Sequence, residues 1–423
     1  MPVKSSRVTV KQVQQAGGAI PFVEQLVAAV KNGSMEERAA SAMSLKNLTE
    51  QAPLSTKPNA ELIAEARGIQ GLVACLESGA ADGRVFALTT LANVTAGSSE
   101  YQQQLFDAGG VKHISSCLRM GDSATQAAAA AAMASLSQLV VSRQPFTQAG
   151  TVLSLVALLK AGTEAQVHAA QSLAALAKGD ARVQSTIAKA GAVQLLLGLL
   201  DSGRAQEAAS HALDSLAEGN PEIQTEIIGM GGPKKLVALL GVVNIDTQAH
   251  AAGALAALAG QGSDSREQQD AIAKVGGIRP LLALADSRYR QTQRSSIHAL
   301  AMLARDNAEN QNTIVEFGGL LPLLRIIQHD SGYAVDVQEQ AVFAIAQVAR
   351  RNNANQSKIG QTNAIFSLVG LLKKSGSLSI ETEVRVSPKP RASSHRHTVA
   401  PPLHCNTPRN TPCIAPSGAR ARR

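Results

Sequence analysis

The chain has 423 residues, 40 Lys and Arg against 32 Asp and Glu, 45% apolar residues, and only 2% aromatics with no tryptophan. Its core must therefore be built from Leu, Val, Ile and Ala, which suits closely stacked helices and excludes a sandwich assembled around rings. No apolar run approaches the roughly 18 residues of a membrane span. The opening "MPVKSSRVTVKQ" offers neither an apolar signal core nor a glycine at position 2, so a soluble cytoplasmic protein is expected, with the nucleus open to it.

In chain order one apolar phrase returns nine times: "AGGAIPFVEQL" from Ala16, "ARGIQGLVACL" from Ala66, "AGGVKHISSCL" from Ala108, "AGTVLSLVALL" from Ala149, "AGAVQLLLGLL" from Ala190, "MGGPKKLVALL" from Met230, "VGGIRPLLALA" from Val275, "FGGLLPLLRII" from Phe317 and "TNAIFSLVGLL" from Thr362. Its starts are 40 to 50 residues apart, close to the period of helical repeat arrays. Within a copy the apolar letters fall as Val193, Leu196, Leu197 and Leu200. That i, i+3, i+4, i+7 spacing makes one face of a helix, and a face repeated in every copy is buried by its neighbours.

Punctuation places the remaining elements. Glycine pairs such as Gly109-Gly110 and Gly276-Gly277 end a short preceding helix, because glycine enters the left-handed conformation cheaply. A second stop ("ESGA", "RMGD", "KAGT", "DSGR") then leads into a longer alanine-rich helix, as in "EAQVHAAQSLAALAKG". Each unit thus holds three helices. The units lie near 5–50, 57–98, 99–142, 143–179, 180–219, 220–262, 263–306 and 307–351, with a partial ninth at 352–378. The first link is long and carries Pro53 and Pro58, which predicts a local break in the stack. Cys75 and Cys117 stand in a slot that is leucine or isoleucine in most other copies and read as small buried hydrophobes. Sequons at Asn32, Asn47, Asn93 and Asn355 are expected to be idle.

From Ser379 the character changes. Residues 379–423 hold eight Lys/Arg and two Asp/Glu, while the other 378 hold 32 and 30, so the basic balance belongs to this tail. Its Pro, Ser and Arg content and lack of helical period predict disorder. His395, His397, His404, Cys405 and Cys413 lack the paired spacing of a zinc module. Ser387-Pro388, Thr407-Pro408 and Thr411-Pro412 are only short phosphorylation-like matches. A nearly neutral body makes nucleic acid an unexpected partner. Phosphate-cradling and hydrolase motifs are missing, and "HDSG" at His329–Gly332 reads as a turn.

The short helix, glycine bend, "GaiplLvxLL"-type helix and "aaxaLxxLa"-type helix together resemble the armadillo repeat, over about residues 5–378. HEAT repeats, usually with two helices and no glycine break, fit less well. The resemblance implies an all-α, armadillo-type right-handed superhelical solenoid of about eight full repeats plus one partial repeat, followed by a disordered C-terminal tail. It also implies third helices lining a concave groove.

In armadillo receptors of nuclear import signals those third helices carry a Trp and, four residues on, an Asn. Here the Asn position reads Asn47, Asn93, Gln138, Ala175, Ser215, Ala257, Met302 and Gln347. The Trp position reads Met43, Thr89, Ala134, Gln171, His211, Gly253, His298 and Phe343. Only two units keep the Asn and none the Trp, which speaks against an importin-α-like adaptor. The substrate-binding part of a U-box ubiquitin ligase is a second alternative, without a U-box-like segment before the repeats. His168, His211, His250 and His298 lie seven or four residues before the Asn position and give the groove a polar floor. They are expected to be too far apart for shared metal ligation. Arg290, Arg294 and His298 form an i, i+4 series suited to an acidic or phosphorylated segment. The expected function is a non-enzymatic protein-interaction scaffold that needs no cofactor or metal and binds an extended partner segment. Its groove would use Asn47, Asn93, Gln138, His168, Gln171, His211, His250, Arg290, Arg294, His298 and Gln347.

Overall fold

The computed structural model describes residues 8–148, 150–260, 265–328 and 332–375. The chain divides into Met1–Pro388 and Lys389–Arg423, and every described residue lies in the first of these. The tail with its His, Cys and Ser/Thr-Pro positions, and most of "HDSG", fall outside the described residues.

Among the described residues there are helices and no strands. They run α1 (Val10–Gln15), α2 (Ala19–Asn32), α3 (Met35–Thr49); α4 (Asn59–Glu65), α5 (Gly68–Ser78), α6 (Ala81–Thr95); α7 (Ser99–Asp107), α8 (Gly110–Met120), α9 (Ser123–Leu136); α10 (Val140–Gln148), α11 (Thr151–Leu158), α12 (Thr163–Ala177). They continue as α13 (Ala181–Lys189), α14 (Ala192–Leu199), α15 (Gln206–Ala217); α16 (Pro221–Gly229), α17 (Gly232–Leu239), α18 (Ile245–Leu258); α19 (Arg266–Lys274), α20 (Ile278–Ala285), α21 (Arg290–Ala304); α22 (Ala308–Glu316), α23 (Leu320–Ile326), α24 (Val335–Ala349); and α25 (Asn353–Gly360) with α26 (Ala364–Ser375). The third helix is the longest of every triplet. The first is shorter than the second only in the first three triplets; in the triplets from α10 onward the second is one or two residues shorter than the first, a departure from the expected short, medium and long order.

The first glycine of the recurring pair supplies the left-handed turn between first and second helices: Gly109 has φ 78° and Gly276 φ 81°. The second has a different reason. A β-carbon at Gly110 would collide with Leu105 on α7, so only glycine lets the two helices meet this closely. In the second unit the left-handed position is held by Arg67, at φ 59°, where a side chain is strained.

Apolar faces of the second helices go inward: Val193, Leu196, Leu197 and Leu200 are all buried. Third helices pack on those of the adjacent units in the succession α3, α6, α9, α12, α15, α18, α21, α24, so that those from α6 to α21 are flanked on both sides. This explains their alanine content. Ala299, Ala301 and Ala304 are fully buried, and small side chains on several faces let neighbouring helices approach. The break expected at the Pro53–Pro58 link does not occur, since α3 packs on α6 like the other neighbours. Asn59 pins the link instead: its Nδ2 donates to Leu48 O at 2.8 Å and its Oδ1 accepts from Leu54 N at 2.8 Å. Cys75 and Cys117 are buried free thiols, and burial pushes both upward from the usual thiol pKa.

A polar clamp ties the units together where the third helices end. Gln184 on α13 donates to Ser215 O and Glu218 O, both at 3.0 Å, and accepts from Asn220 Nδ2 at 3.2 Å. Gln269 and Asn307 repeat this at Met302 O and Arg305 O. Gln311 and Asn352 repeat it again at Gln347 O and Arg350 O. Each Asn simultaneously caps the next unit's first helix, as Asn307 does by accepting from Asn310 N at 3.2 Å. Carbonyls orphaned at a helix end are thus satisfied without water. Recurring Asn/Asp-x-x-x-Gln ("DARVQ", "NPEIQ", "NAENQ", "NNANQ") only partly displays this clamp, because its acceptors lie outside the motif.

Candidate partner-binding trough

Five successive units contribute to one open pocket of about 340 Å³. One wall is α15, with His211, Asp214, Ser215 and Glu218, and Lys178 beside it just past α12. The floor is α18, where the positions facing the pocket are Gly253, Ala256 and Ala257. The other wall is α21, with Arg294, His298 and Met302, beyond which stands Gln340 of α24. The hollow exists because α18 places small residues between two helices that carry large ones.

His211 and His250 are in contact across α15 and α18. Their ring centroids are 4.3 Å apart and the planes 21° from parallel, much closer than the spacing expected between neighbouring units. Rings stacked this way hold their nitrogens roughly side by side in parallel planes rather than converging on one point. Among the described residues no group of three or more His, Cys, Asp or Glu is arranged to hold a metal ion. Burial lowers His211 to about 4, and nearby His250 and Lys178 act in the same direction. Burial also lowers His250, against the pull of Glu207 and Asp246. His298 Nδ1 lies 2.9 Å from Gln340 Oε1, so Nδ1 carries the proton and donates it. Burial nonetheless lowers the His298 pKa. These rings form a polar, largely uncharged wall at neutral pH.

Asp214 is the group that sequence reasoning missed. Its carboxylate makes no ion pair or side-chain hydrogen bond among the described residues, and it sits against the helix backbone at Gly253. A β-carbon on residue 253 would come within 2.5 Å of Asp214 Oδ2 and 3.3 Å of Oδ1. Burial, then the Glu218 charge, raise Asp214 to about 7, with Lys178 opposing. In "HALDSLAEG" Asp214 resembles any solvated helix residue; the glycine that accommodates it comes 39 positions later.

The arginine series has an internal counter-ion. Arg290 Nε lies 3.0 and 3.2 Å from the two oxygens of Asp336, and its Nη2 lies 3.0 Å from Oδ1. Arg294 Nε is 3.6 Å from Asp336 Oδ2. The local positive field is therefore smaller than the arginines alone suggest, and an acidic ligand would compete with Asp336. His298 faces Gln340, not an acid.

The other sequence-selected positions are not part of this pocket. Asn47 lies in the last turn of α3. Asn93 donates to Thr49 Oγ1 across the unit boundary at 2.8 Å, which gives its amide a packing role. Gln138 falls in the turn beyond α9 and is exposed; Ser135, three residues earlier and 2.8 Å from Thr95 Oγ1, holds the place equivalent to Asn93. The alanine run of α9 hides the register and explains the slip. His168 and Gln171 are half-buried on α12. Gln347 is only 4% exposed, with its Oε1 unpartnered, so it does not face a ligand. A larger hollow of about 720 Å³ is lined by Val140, Val141, Gln144, Arg182 and Thr186 among other residues. It lies chiefly on first helices rather than on the stacked third-helix face.

No described helix is long and apolar enough to cross a membrane. No protein-family model matches the chain, and no curated protein matches it. Among solved structures, the crystal structure of an engineered protein is 28% identical, covers 89% of this chain and 92% of its own, and superposes with a TM-score of 0.71. A designed armadillo repeat protein is 27% identical, covers 56% of this chain and 99% of its own, and gives a TM-score of 0.50.

Proposed function

We propose that this all-helical chain, whose fold is an armadillo-like repeat solenoid, serves as a protein-interaction scaffold. In this reading the protein seats an extended partner segment along the third helices of its later units and carries out no chemistry itself. One observation carries the reading. Side chains from five successive units line a single open trough, and the Asp214 carboxylate within it makes no ion pair or side-chain hydrogen bond among the described residues.

An extended chain suits such a surface because it meets one unit after another at a regular interval. The trough has polar walls and a floor of small residues, so a backbone can approach α18 closely while its side chains reach His211, Asp214 and His298. The Arg290–Arg294–Asp336 cluster borders this path and supplies both signs of charge.

The test is selection of extended peptides from a random displayed library against the full chain, followed by binding to Ser295→Trp and Ala257→Trp variants that fill the trough. The reading predicts that selected peptides lose most of their affinity for both variants, whose helicity is unchanged. Peptides that bind both variants as tightly as the parent chain would overturn it.

A further inference from the structure

We propose that Asp214, set into the notch at Gly253, is a receptor for one cationic side chain, a lysine or arginine of the partner segment, entering between His211 and His298. This rests on the scaffold reading above and deepens it by naming the chemistry recognised at one point of the trough.

Three observations converge on it. Asp214 has no ion pair or side-chain hydrogen bond among the described residues, although Lys178 and Arg294 line the same pocket. Arg294 is turned toward Asp336. The carboxylate lies where a β-carbon on α18 would strike it, so glycine at 253 and alanine at 256 and 257 leave the oxygens accessible from the trough. Glu218, one turn along α15, lines the same pocket and adds a second negative charge. Arg294 is held by Asp336, which leaves Lys178 as the one competing cation among the described residues lining the pocket. The Asp214 and Glu218 carboxylates above a floor of small residues thus offer acceptors suited to an ammonium or guanidinium.

The groups facing Asp214 decide how this site responds to pH. They are Lys178 beyond α12, His211 and Glu218 on α15, His250 on α18, and Arg294 and His298 on α21, with neutral Gln340 on α24. The three histidines are lowered by burial, whereas Asp214 is raised to about 7. Between pH 6 and 8 the principal change is thus loss of the Asp214 proton. A cation that binds only the ionised form experiences an affinity scaled by the ionised fraction, so binding should weaken about tenfold from pH 8 to pH 6.

The experiment titrates the full chain with n-butylammonium and n-butylguanidinium, using propionate as the anionic control. The ring Cε1–H signals of its nine histidines serve as reporters in proton NMR. Saturable shifts confined to the His211, His250 and His298 signals, about tenfold tighter at pH 8 than at pH 6, are expected. Asp214→Asn should abolish them. Gly253→Ala, which keeps a helix-compatible residue but displaces the carboxyl, should weaken them at least several-fold. Absence of a saturable shift, equal response to propionate, or undiminished binding by Asp214→Asn overturns the inference. If the amines fail while selected extended peptides still depend on the trough, the cation site falls and the scaffold stands. If the amines bind as expected but no extended peptide engages the trough, the cation site stands and the scaffold falls.

Discussion

The imidazoles of His211 and His250 stack face to face, with centroids 4.3 Å apart, across the boundary between α15 and α18. Two protonated rings at that distance would repel, and both are lowered below the ordinary histidine pKa of about 6.5, His211 to about 4. The unfolded chain therefore takes up protons more readily in this window, and stability should fall as pH drops from about 6.5 toward 4. Solvent at these half-buried rings holds the His211 contribution to about 1 kcal/mol. Urea midpoints between pH 4.5 and 7.5 should show an acid limb that His211→Gln flattens; an unaltered limb would count against the neutral stack.

Asp214 has the opposite slope. Burial raises its folded pKa to about 7, above the ordinary aspartate value of 3.8, so the folded chain retains a proton that the unfolded chain has released. Stability declines as pH rises through that interval and stays lower above it. Asp214→Asn should match the parent near pH 4 and exceed it at pH 8 by on the order of 2 kcal/mol. A variant less stable than the parent at pH 8 would contradict the unpartnered state of this carboxylate.

Gln311 shares its amide among Ala304 O, Gln347 O and Arg350 O at 2.9 to 3.1 Å, and its Oε1 accepts from Asn352. Gln311→Ala leaves those groups buried without a replacement and should cost about 2 kcal/mol or more. Because solenoid units couple chiefly to their neighbours, the loss should appear in hydrogen exchange as faster opening of α22 to α26, with α3 to α9 unaffected. Uniform acceleration along the chain would argue against a local clamp.

Arg67 occupies the left-handed position that glycine fills in most other units. Arg67→Gly should relieve about 1 kcal/mol of backbone strain, partly offset by the entropy of the unfolded glycine. A small rise in thermal midpoint is expected, and a clear fall would show that the Arg67 side chain supports the fold.

The repeat was legible in the sequence because its signals are local. Glycine pairs, apolar spacing and alanine-rich thirds each sit within one helix or turn, and eight triplets plus a final pair of helices follow them. The trough was legible only in part. His211, His298 and Arg294 were found from their register on one helix face. Asp214 was not, since its meaning depends on Gly253 in the next unit, and Asp336 was not seen as the counter-ion of Arg290 for the same reason. Gln138 was misplaced because the α9 alanines are too uniform to fix a phase.

The most direct measurement compares binding of one selected extended peptide to the full chain, to Ser295→Trp and to Arg182→Trp, the last filling the first-helix hollow instead. The account predicts at least a tenfold loss with Ser295→Trp and no change with Arg182→Trp, at equal helicity. Full affinity in Ser295→Trp, or a loss confined to Arg182→Trp, would contradict partner binding through the third-helix trough.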